Sequence, residues 1–518
     1  MNKTMLKAAL AMGLFATGTA GALAESVIRV QLPADIRSTN PGVNRDGDTD
    51  SVVMHMVEGL VAYGEDGSVK PLLAESVSVS DDQLTYTFKL RKGVKFHNGS
   101  EMTSADALWS WNRYMDPKTE WRCLSEFDGR NNLKVTGVEA PDPETIVFKI
   151  NSPSALFLNK LARTDCGMTA ILHKDSVKPD GSWDKPIGTG PFQLAEWKQG
   201  EYVRLTKFAG YANPAGESSG YTGSKRTLVD EVRFVVVPDS STAKAALLSG
   251  DIDLIPDMSN ADVKELKDNK EIALSTAEHM GLVALLLQTR DPVLSNVKVR
   301  QAIAAAIDGD QLVAATTEGL GHRNNSVVPR SSPFYGKVEQ EGWSADPQKA
   351  QQLLAEAGYK SEPITILANK RYPAMYDGAI VAQAMLQAAG INAQLEILEW
   401  ATQLDRYTKG NYQAMSFSYS ARLDPALSFE SMMGPKDKQP RKVWDNPEAQ
   451  KLLDRAMVVS DKAERQKLFD DLHRRFLEDV PMVMLYNGIT TAAYSNKIKG
   501  FKSWPASSPR LWEVSVAD

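Results

Sequence analysis

The stretch from Pro71 to Pro117 constrains the fold most, because it specifies a strand, a turn and a helix in close succession. From Leu84 to Leu90, apolar and polar residues alternate, which predicts a half-buried strand. Glycine-containing turn residues follow this strand. Thr103 and Asp106 then have the spacing of a capping box, so we expect a helix to begin there and to end before Pro117.

Residues 73–113 of this stretch read LAESVSVSDDQLTYTFKLRKGVKFHNGSEMTSADALWSWNR. This segment resembles, almost position by position, the signature of the family 5 extracellular solute-binding proteins, the dipeptide, oligopeptide and nickel receptors of ABC importers. Residues 187–211, IGTGPFQLAEWKQGEYVRLTKFAGY, are similar to a second hallmark of that family. The resemblance implies an α/β, two-lobed periplasmic-binding-protein fold of class II, whose cleft closes around a ligand. It also implies an extra subdomain in the first lobe.

The N-terminus has the pattern of a cleavable signal peptide. Lys3 and Lys7 precede an apolar run over residues 8–16, and Ala22 and Ala24 form a small-residue cleavage site. We therefore expect cleavage after Ala24, export to the periplasm and, because no cysteine lies near that site, no lipid anchor. The N-terminal pattern thus predicts a signal peptide at 1–24. The resemblance implies a first lobe at 25–66, 186–281 and 488–518, an extra subdomain at 67–185, and a second lobe at 282–487.

The charge balance bears on the partners of the protein. Without the first 24 residues the chain has 57 basic and 65 acidic side chains, a net charge of −8. Such a balance argues against nucleic acid or an anionic membrane as a partner. The resemblance implies instead that the protein, which we expect to be a monomer, binds a small-molecule or peptide-like ligand and delivers it to the transmembrane subunits of an ABC permease.

The sequence gives little sign of catalysis, cofactors or metals. The six histidines do not show the spacing of a metal-ligand pair, and no phosphate-binding loop is present. Ser218 stands in a G-x-S-x-G pattern, but the predicted strand and helix that a nucleophile elbow needs are missing around it. We therefore expect a binding protein rather than an enzyme, with no cofactor. The alternatives of another class are a hydrolase that uses Ser218 and a chaperone-like protein.

An acidic loop follows the first predicted strand. Asn44, Asp46, Asp48 and Asp50 resemble the start of an EF-hand loop, but the glycine and glutamate that complete such a loop are absent. We interpret the segment as a solvated loop in which Asp48, Thr49 or Asp50 caps a helix over residues 51–60.

Cys123 and Cys166 are the two cysteines of the chain. An oxidising compartment permits a disulfide between them. Two buried thiols are the alternative, because two cysteines in a sequence do not by themselves establish a bridge.

The segment before Asp424 carries the most informative candidates for ligand binding. Asp424 and Pro425 correspond to an Asp-Pro pair of the family. In peptide-binding members, an aspartate three residues before that pair captures the α-ammonium group of the ligand. This chain has Ala421 at that position and Arg422 beside it. Arg371 lies where dipeptide-binding members have an arginine that pairs with the ligand carboxylate. We expect Asp424 itself to brace the loop.

Two arginines and no amine-capturing aspartate favour a ligand with an acidic or strongly hydrogen-bonding group, such as a modified peptide, an opine-like conjugate or a sugar phosphate. An oligopeptide held mainly through its backbone is the alternative within the same class. The further predicted ligand-binding residues are aromatic side chains of the second lobe and polar side chains of the first. These residues are Tyr419, Trp400, Phe417, Tyr372, Asn40 and Thr189.

Overall fold

The computed structural model describes residues 26–43, 46–130, 133–505 and 509–517, so the predicted signal peptide lies outside the described residues. The strands are β1 (Val27–Leu32), β2 (Val61–Tyr63), β3 (Val69–Pro71), β4 (Ala74–Val79), β5 (Thr85–Leu90), β6 (Val135–Asp142), β7 (Thr145–Ile150), β8 (Phe192–Lys198), β9 (Tyr202–Lys207), β10 (Glu231–Val236), β11 (Leu254–Ile255), β12 (Ile272–Leu287), β13 (Ile364–Ala368), β14 (Ala393–Ile397), β15 (Ala414–Tyr419), β16 (Met482–Ser495), β17 (Ile498–Lys499) and β18 (Ser515–Val516).

The helices are α1 (Gly47–Val53), α2 (Ser104–Met115), α3 (Phe157–Ala162), α4 (Ser240–Ser249), α5 (Asn260–Leu266), α6 (Val297–Ala306), α7 (Gly309–Thr316), α8 (Pro347–Ala357), α9 (Pro373–Ala388), α10 (Trp400–Lys409), α11 (Pro425–Met432), α12 (Pro447–Ala456) and α13 (Lys462–Asp479). Among the described residues, no helix combines the length and the apolar character that crossing a membrane requires.

One ten-stranded sheet of the described residues carries both lobes, in the order β14-β13-β15-β12-β16-β11-β1-β10-β9-β8. The first lobe is built on β11, β1, β10, β9 and β8, and the second on β15, β13 and β14. The pairing is mixed, since β1 runs parallel to β10 while β12 runs antiparallel to β15 and β16. The fold is therefore the predicted two-lobed α/β architecture.

The long strands β12 and β16 connect the two lobes. Their antiparallel register shifts between Glu278 and Leu282, which interrupts the ladder between the two halves of each strand. The ring of His279 fills this point: a Cβ atom at Gly281 or at Gly488 would overlap it, so both positions require glycine. The interruption therefore lies near the middle of both connecting strands, between the two lobes.

An extra subdomain extends the first lobe. Its four antiparallel strands lie in the order β4-β5-β7-β6. Helix α2 packs on this sheet through Trp111, whose ring lies 5.0 Å from that of Phe148. The capping box predicted at the start of α2 is present, with Thr103 and Asp106 exchanging hydrogen bonds.

The subdomain also contacts the second lobe. Leu156 is 1% exposed, and it packs in the apolar core of the second lobe. The backbone N–H of Ala155 donates to the Met457 carbonyl at 2.9 Å. The Ser460 hydroxyl donates to the side chain of Gln83 at 3.1 Å. The two lobes thus touch at a point separate from the connecting strands.

Candidate functional site

A cavity of about 710 Å³ lies between the two lobes. A cavity of this size is within the range typical of sites for small molecules. One wall belongs to the first lobe and its subdomain, and the other is the loop after β15 together with the start of α11. The lining residues are Asp46, Gly47, Asp50, Tyr63, Arg122, Cys123, Ser125, Glu126, Arg163, Thr164, Asp165, Ser420, Ala421, Arg422, Leu423 and Leu427.

A disulfide joins Cys123 to Cys166 and shapes the first-lobe wall. Of the two alternatives that the sequence left open, a bridge or two buried thiols, the structure has the bridge. It joins segments 43 residues apart and so holds their neighbours together. Arg122 pairs with Asp165 at 3.0 Å across this junction. The indole of Trp121 donates to the carbonyl of Cys166 at 2.9 Å. The disulfide therefore fixes an ion pair in the cavity wall.

Arg163 completes this charged network. It pairs with Asp165 at 2.7 Å and with Glu126 at 3.2 Å. Burial alone would raise the pKa of Asp165, but the hydrogen bonds and charges of Arg163 and Arg122 outweigh it and hold that pKa well below its usual value. Glu126 also accepts a hydrogen bond from Lys160 at 2.7 Å.

Helix α1 adds two carboxylates that the sequence analysis did not assign to the site. The helix begins at Gly47 with Asp46 as N-cap, whose side chain accepts from the Thr49 N–H at 3.2 Å, so the predicted start at residue 51 is wrong. The earlier start makes Asp50 part of the helix and of the cavity wall. The alternating acidic residues were visible in the sequence. The start of a helix, however, depends on which side chain accepts a hydrogen bond from a backbone N–H three residues later, and here that side chain is Asp46.

Asp50 is only weakly paired. Its closest cationic partner among the described residues is Arg122, at 3.7 Å. Burial raises the pKa of Asp50 to about 7, with Arg122 acting in the opposite direction and Asp165 and Asp46 adding to the rise. Within the described part of the chain, this buried carboxylate therefore has no cation nearer than Arg122.

Arg422 projects from the second-lobe wall, where its side chain is exposed to the cavity. Its guanidinium donates to the carbonyl of Ala421 at 3.0 Å. Within the described chain, no carboxylate lies within 4.0 Å of it. The surrounding protein lowers the pKa of Arg422 by restricting water, and the like charge of Arg163 lowers it further. The group is therefore a cation available to an anionic partner.

Asp424 holds the loop that presents Arg422. Its two oxygens accept from the guanidinium of Arg465 at 2.8 Å each, and both side chains are almost fully buried. Asp424 also accepts from the N–H of Ala426 at 2.9 Å and so caps α11. The prediction that Asp424 braces the loop is confirmed.

The predicted aromatic residues form one cluster in the second lobe, with Tyr407 as an additional member. The rings of Tyr372 and Trp400 lie 4.9 Å apart, and those of Phe417 and Tyr419 lie 5.1 Å apart. Trp400 connects the pairs, at 6.0 Å from Phe417. Tyr419 directly precedes Ser420 of the cavity wall. The cluster thus supports the loop of Arg422 and is not among the described residues that line the cavity.

Arg371 extends this cluster at its exposed end. Its guanidinium carbon lies 5.7 Å from the centre of the Tyr372 ring. The side chain is exposed and does not line the cavity between the lobes in the described part of the chain. A role for Arg371 in ligand binding stays a prediction.

Asn40 and Thr189 lie behind the first-lobe wall. Asn40 is 8% exposed, and its side-chain oxygen accepts from Arg113 at 2.9 Å. Thr189 is 1% exposed and donates to Glu58 at 3.0 Å. Both were expected at the ligand, but the structure places their polar groups on partners inside the lobe.

Two other cavities are less suited to a ligand. One of about 660 Å³ lies within the second lobe alone, and some of the charged residues that line it pair with each other, as Arg406 does with Glu396 at 2.9 Å. The other, of about 310 Å³, contains Ser218. No histidine of the described chain lines it, and Ser218 lies in a loop, so the context of a nucleophile elbow is absent there.

Comparisons with known proteins agree with this architecture. The family model "Bacterial extracellular solute-binding proteins, family 5 Middle" matches residues 68–440. Heme-binding protein A of Haemophilus influenzae is 28% identical over 86% of this chain and 84% of its own length. The glutathione-binding protein GsiB of Escherichia coli strain K12 is 27% identical, over 97% of this chain and 98% of its own.

A solved structure superimposes over nearly the whole chain. The periplasmic binding protein DppA of Helicobacter pylori, in complex with the peptide STSA, is 27% identical and gives a TM-score of 0.74. The match covers 95% of this chain and 99% of that one. The three similar proteins differ in the ligand that their names state, so similarity alone does not identify the ligand here.

Proposed function

The chain belongs to the family 5 bacterial extracellular solute-binding proteins, and from this premise we propose that it captures a small peptide-like or anionic solute in the cavity between its lobes. The family consists of substrate-binding components of ABC importers. The observation that carries the proposal is the cavity of about 710 Å³, since both lobes contribute to its walls. A ligand that contacts both walls favours the closed form, which is the form presented to a permease.

The proposal includes the division of the chain and its export. The register shift between Glu278 and Leu282 supports a crossing from the first to the second lobe near residue 281, and a return near residue 487. The four-stranded sheet and α2 support an extra subdomain within residues 67–185. We further propose that residues 1–24 are removed during export, and that the periplasmic protein works as a monomer with an ABC permease and without nucleic acid.

The anionic character of the ligand rests on Arg422. In the described part of the chain this guanidinium has no carboxylate within 4.0 Å. The like charge of Arg163 acts on it across the cleft, and the carboxylates of Asp165, Glu430 and Glu126 act in the opposite direction. An acidic group of the ligand would relieve this repulsion and would form charge-assisted hydrogen bonds with Arg422. An oligopeptide held through its backbone would not depend on this residue.

The test is a thermal-shift screen followed by calorimetric titration. The probes are short peptides, glutathione, opine-like conjugates and sugar phosphates. For a probe that binds, Arg422→Ala should weaken binding by about 2–5 kcal/mol, as expected when one member of a buried charged pair is removed. Arg474→Ala, an exposed arginine of the same lobe, is the matched control and should change binding by less than about 0.5 kcal/mol.

Three results would contradict the proposal. If Arg422→Ala binds as tightly as Arg474→Ala does, Arg422 is outside the site. Weak binding that grows with peptide length, without a saturable small ligand, would favour a chaperone-like protein. Turnover of a probe that is lost in Ser218→Ala would favour a hydrolase.

A further inference from the structure

The second lobe contains a cavity of about 660 Å³ that is separate from the cleft. Tyr412 and Gln413, just before β15, line this second-lobe cavity, whereas Ser420 and Ala421, just after β15, line the cavity between the lobes. The two cavities therefore lie at opposite ends of one strand. Because its described lining belongs to the second lobe alone, a molecule held there would not bring the lobes together, and it would not be the transported solute.

Lys436 is the least compensated charge of the second-lobe cavity. The residue lines the cavity, yet it is only 2% exposed. Its ammonium donates to the side-chain oxygen of Gln288 at 2.8 Å and to the hydroxyl of Thr289 at 2.7 Å, and both of these partners are neutral. In the described part of the chain, no carboxylate oxygen lies within 4.0 Å of this ammonium. An ammonium has three donors, so this buried group still has a donor to offer an anion.

The charges around Lys436 favour an added negative charge. The pKa of Lys436 is lowered to about 8, first by burial and then by the like charges of Arg290 and Arg300. Asp445 acts in the opposite direction, but its carboxylate also accepts from Arg290 at 3.2 Å. An anion in the cavity would compensate Lys436 and Arg290 together.

Arg290 is a second cation that lines this cavity. It pairs with Asp437 at 2.9 Å, but this pair is at the surface, where the side chain of Asp437 is 87% exposed. An exposed pair of this kind contributes little to stability. An anion in the cavity can therefore compete with Asp437 for the guanidinium.

Tyr412 supplies an unused hydrogen-bonding group to the same cavity. The residue is 8% exposed, and its buried hydroxyl has no hydrogen-bond partner among the described residues. A buried hydroxyl without a partner costs free energy. A ligand oxygen that reaches this hydroxyl would remove that cost.

From the buried ammonium, the neighbouring guanidinium and the unpartnered hydroxyl, we propose that the second-lobe cavity is a second binding site, which takes a small oxyanion such as phosphate or the carboxylate of an organic acid. Lys436 and Arg290 bind the oxyanion through charge-assisted hydrogen bonds. The oxyanion is a ligand of the second lobe and is distinct from the solute in the cleft. Its binding stabilises the folded protein, because the unfolded chain lacks the site.

The test is calorimetric titration of the Arg422→Ala protein, in a chloride buffer, with inorganic phosphate and separately with succinate. The substitution removes the cation proposed for the cleft, so that the second-lobe cavity is the anion site under test. We expect saturable binding of at least one probe and a higher melting temperature in its presence. The probe that binds more tightly shows whether the site prefers phosphate or a carboxylate.

Three variants, each added to Arg422→Ala, locate the site. Lys436→Met should weaken binding at least about tenfold, as expected when a charged hydrogen-bond donor is lost, and should remove the rise in melting temperature. Lys438→Met is the matched control, because Lys438 is exposed on the same loop and does not line the cavity, and it should bind as its parent does. Tyr412→Phe removes one hydroxyl and should weaken binding about threefold, which tests the site even if Lys436→Met does not fold.

The outcomes separate this inference from the proposed function. Equal binding by Lys436→Met and Lys438→Met would overturn the site at Lys436 and leave the receptor function intact. No binding of either probe up to about 10 mM would do the same. An oxyanion that binds the wild type but not Arg422→Ala would lie in the cleft, which would support the proposed function and overturn this inference.

Discussion

The pair of Asp424 and Arg465 offers the sharpest test of how the second-lobe wall is held. Arg465 donates twice to Asp424 at 2.8 Å, and the exposed fractions of the two side chains are 6% and 5%. Replacing Arg465 by Met preserves most of the apolar contact with the rings of Phe334 and Phe469 but leaves the carboxylate buried without a countercharge. Breaking a pair of this kind costs about 3–5 kcal/mol.

The assay is the free energy of unfolding from urea denaturation. Arg455→Met is the control, since Arg455 pairs with Glu464 at 2.9 Å but both side chains are about half exposed. A pair of that kind contributes about 0.2–1 kcal/mol. Asp424→Asn should cost less than Arg465→Met, because the amide oxygen can still cap α11. The double variant should cost less than the sum of the two single changes.

The reasoning would be refuted if Arg465→Met lowered the free energy of unfolding no more than Arg455→Met does. The pair would then contribute nothing beyond an exposed contact. The orientation of Arg422, two residues before Asp424, would need another explanation.

Three further predictions concern the first lobe and the contact between lobes. Replacing Cys123 and Cys166 by Ser should lower the free energy of unfolding by roughly 4 kcal/mol, from the 43-residue separation; equal stability with and without reductant in the wild type would contradict this. The folded state keeps His55 neutral, because burial lowers its pKa from 6.5 to about 4. The stabilisation that neutral His55 contributes is therefore complete above pH 6.5. As the pH falls towards 4, the free energy of unfolding should decrease by roughly 3 kcal/mol. Melting temperature against pH measures this, and an identical acid slope in His55→Gln would oppose it. Leu156→Ala should favour the open form of the ligand-free protein more than tenfold, since burying this side chain contributes roughly 2 kcal/mol. Small-angle X-ray scattering should then give a larger radius of gyration, and an unchanged radius would count against the contact.

Local signals in the sequence predicted local structure well. The capping box predicted at the start of α2 is present, and the helix ends before Pro117, as expected. These features depend on residues within one turn of each other, so the sequence alone contains the relevant interactions.

The cavity walls depend on contacts that are distant in the sequence. Asn40 is paired with Arg113, 73 residues away, and Thr189 with Glu58, 131 residues away. The position of Asn40 after the first strand, and that of Thr189 within a glycine-containing turn, could not reveal these partners. Asp50 was overlooked for a related reason, because its importance comes from Arg122 and Asp165, which the disulfide brings to it.

Native mass spectrometry of the protein, purified gently from its own periplasm, tests the central claim most directly. A receptor with micromolar or tighter affinity, about −8 kcal/mol or better, can retain its ligand through such a purification. The account predicts a single small molecule, bound one to one, that carries an acidic group and is lost from Arg422→Ala. A spread of peptide masses, retained equally by Arg422→Ala, would contradict it.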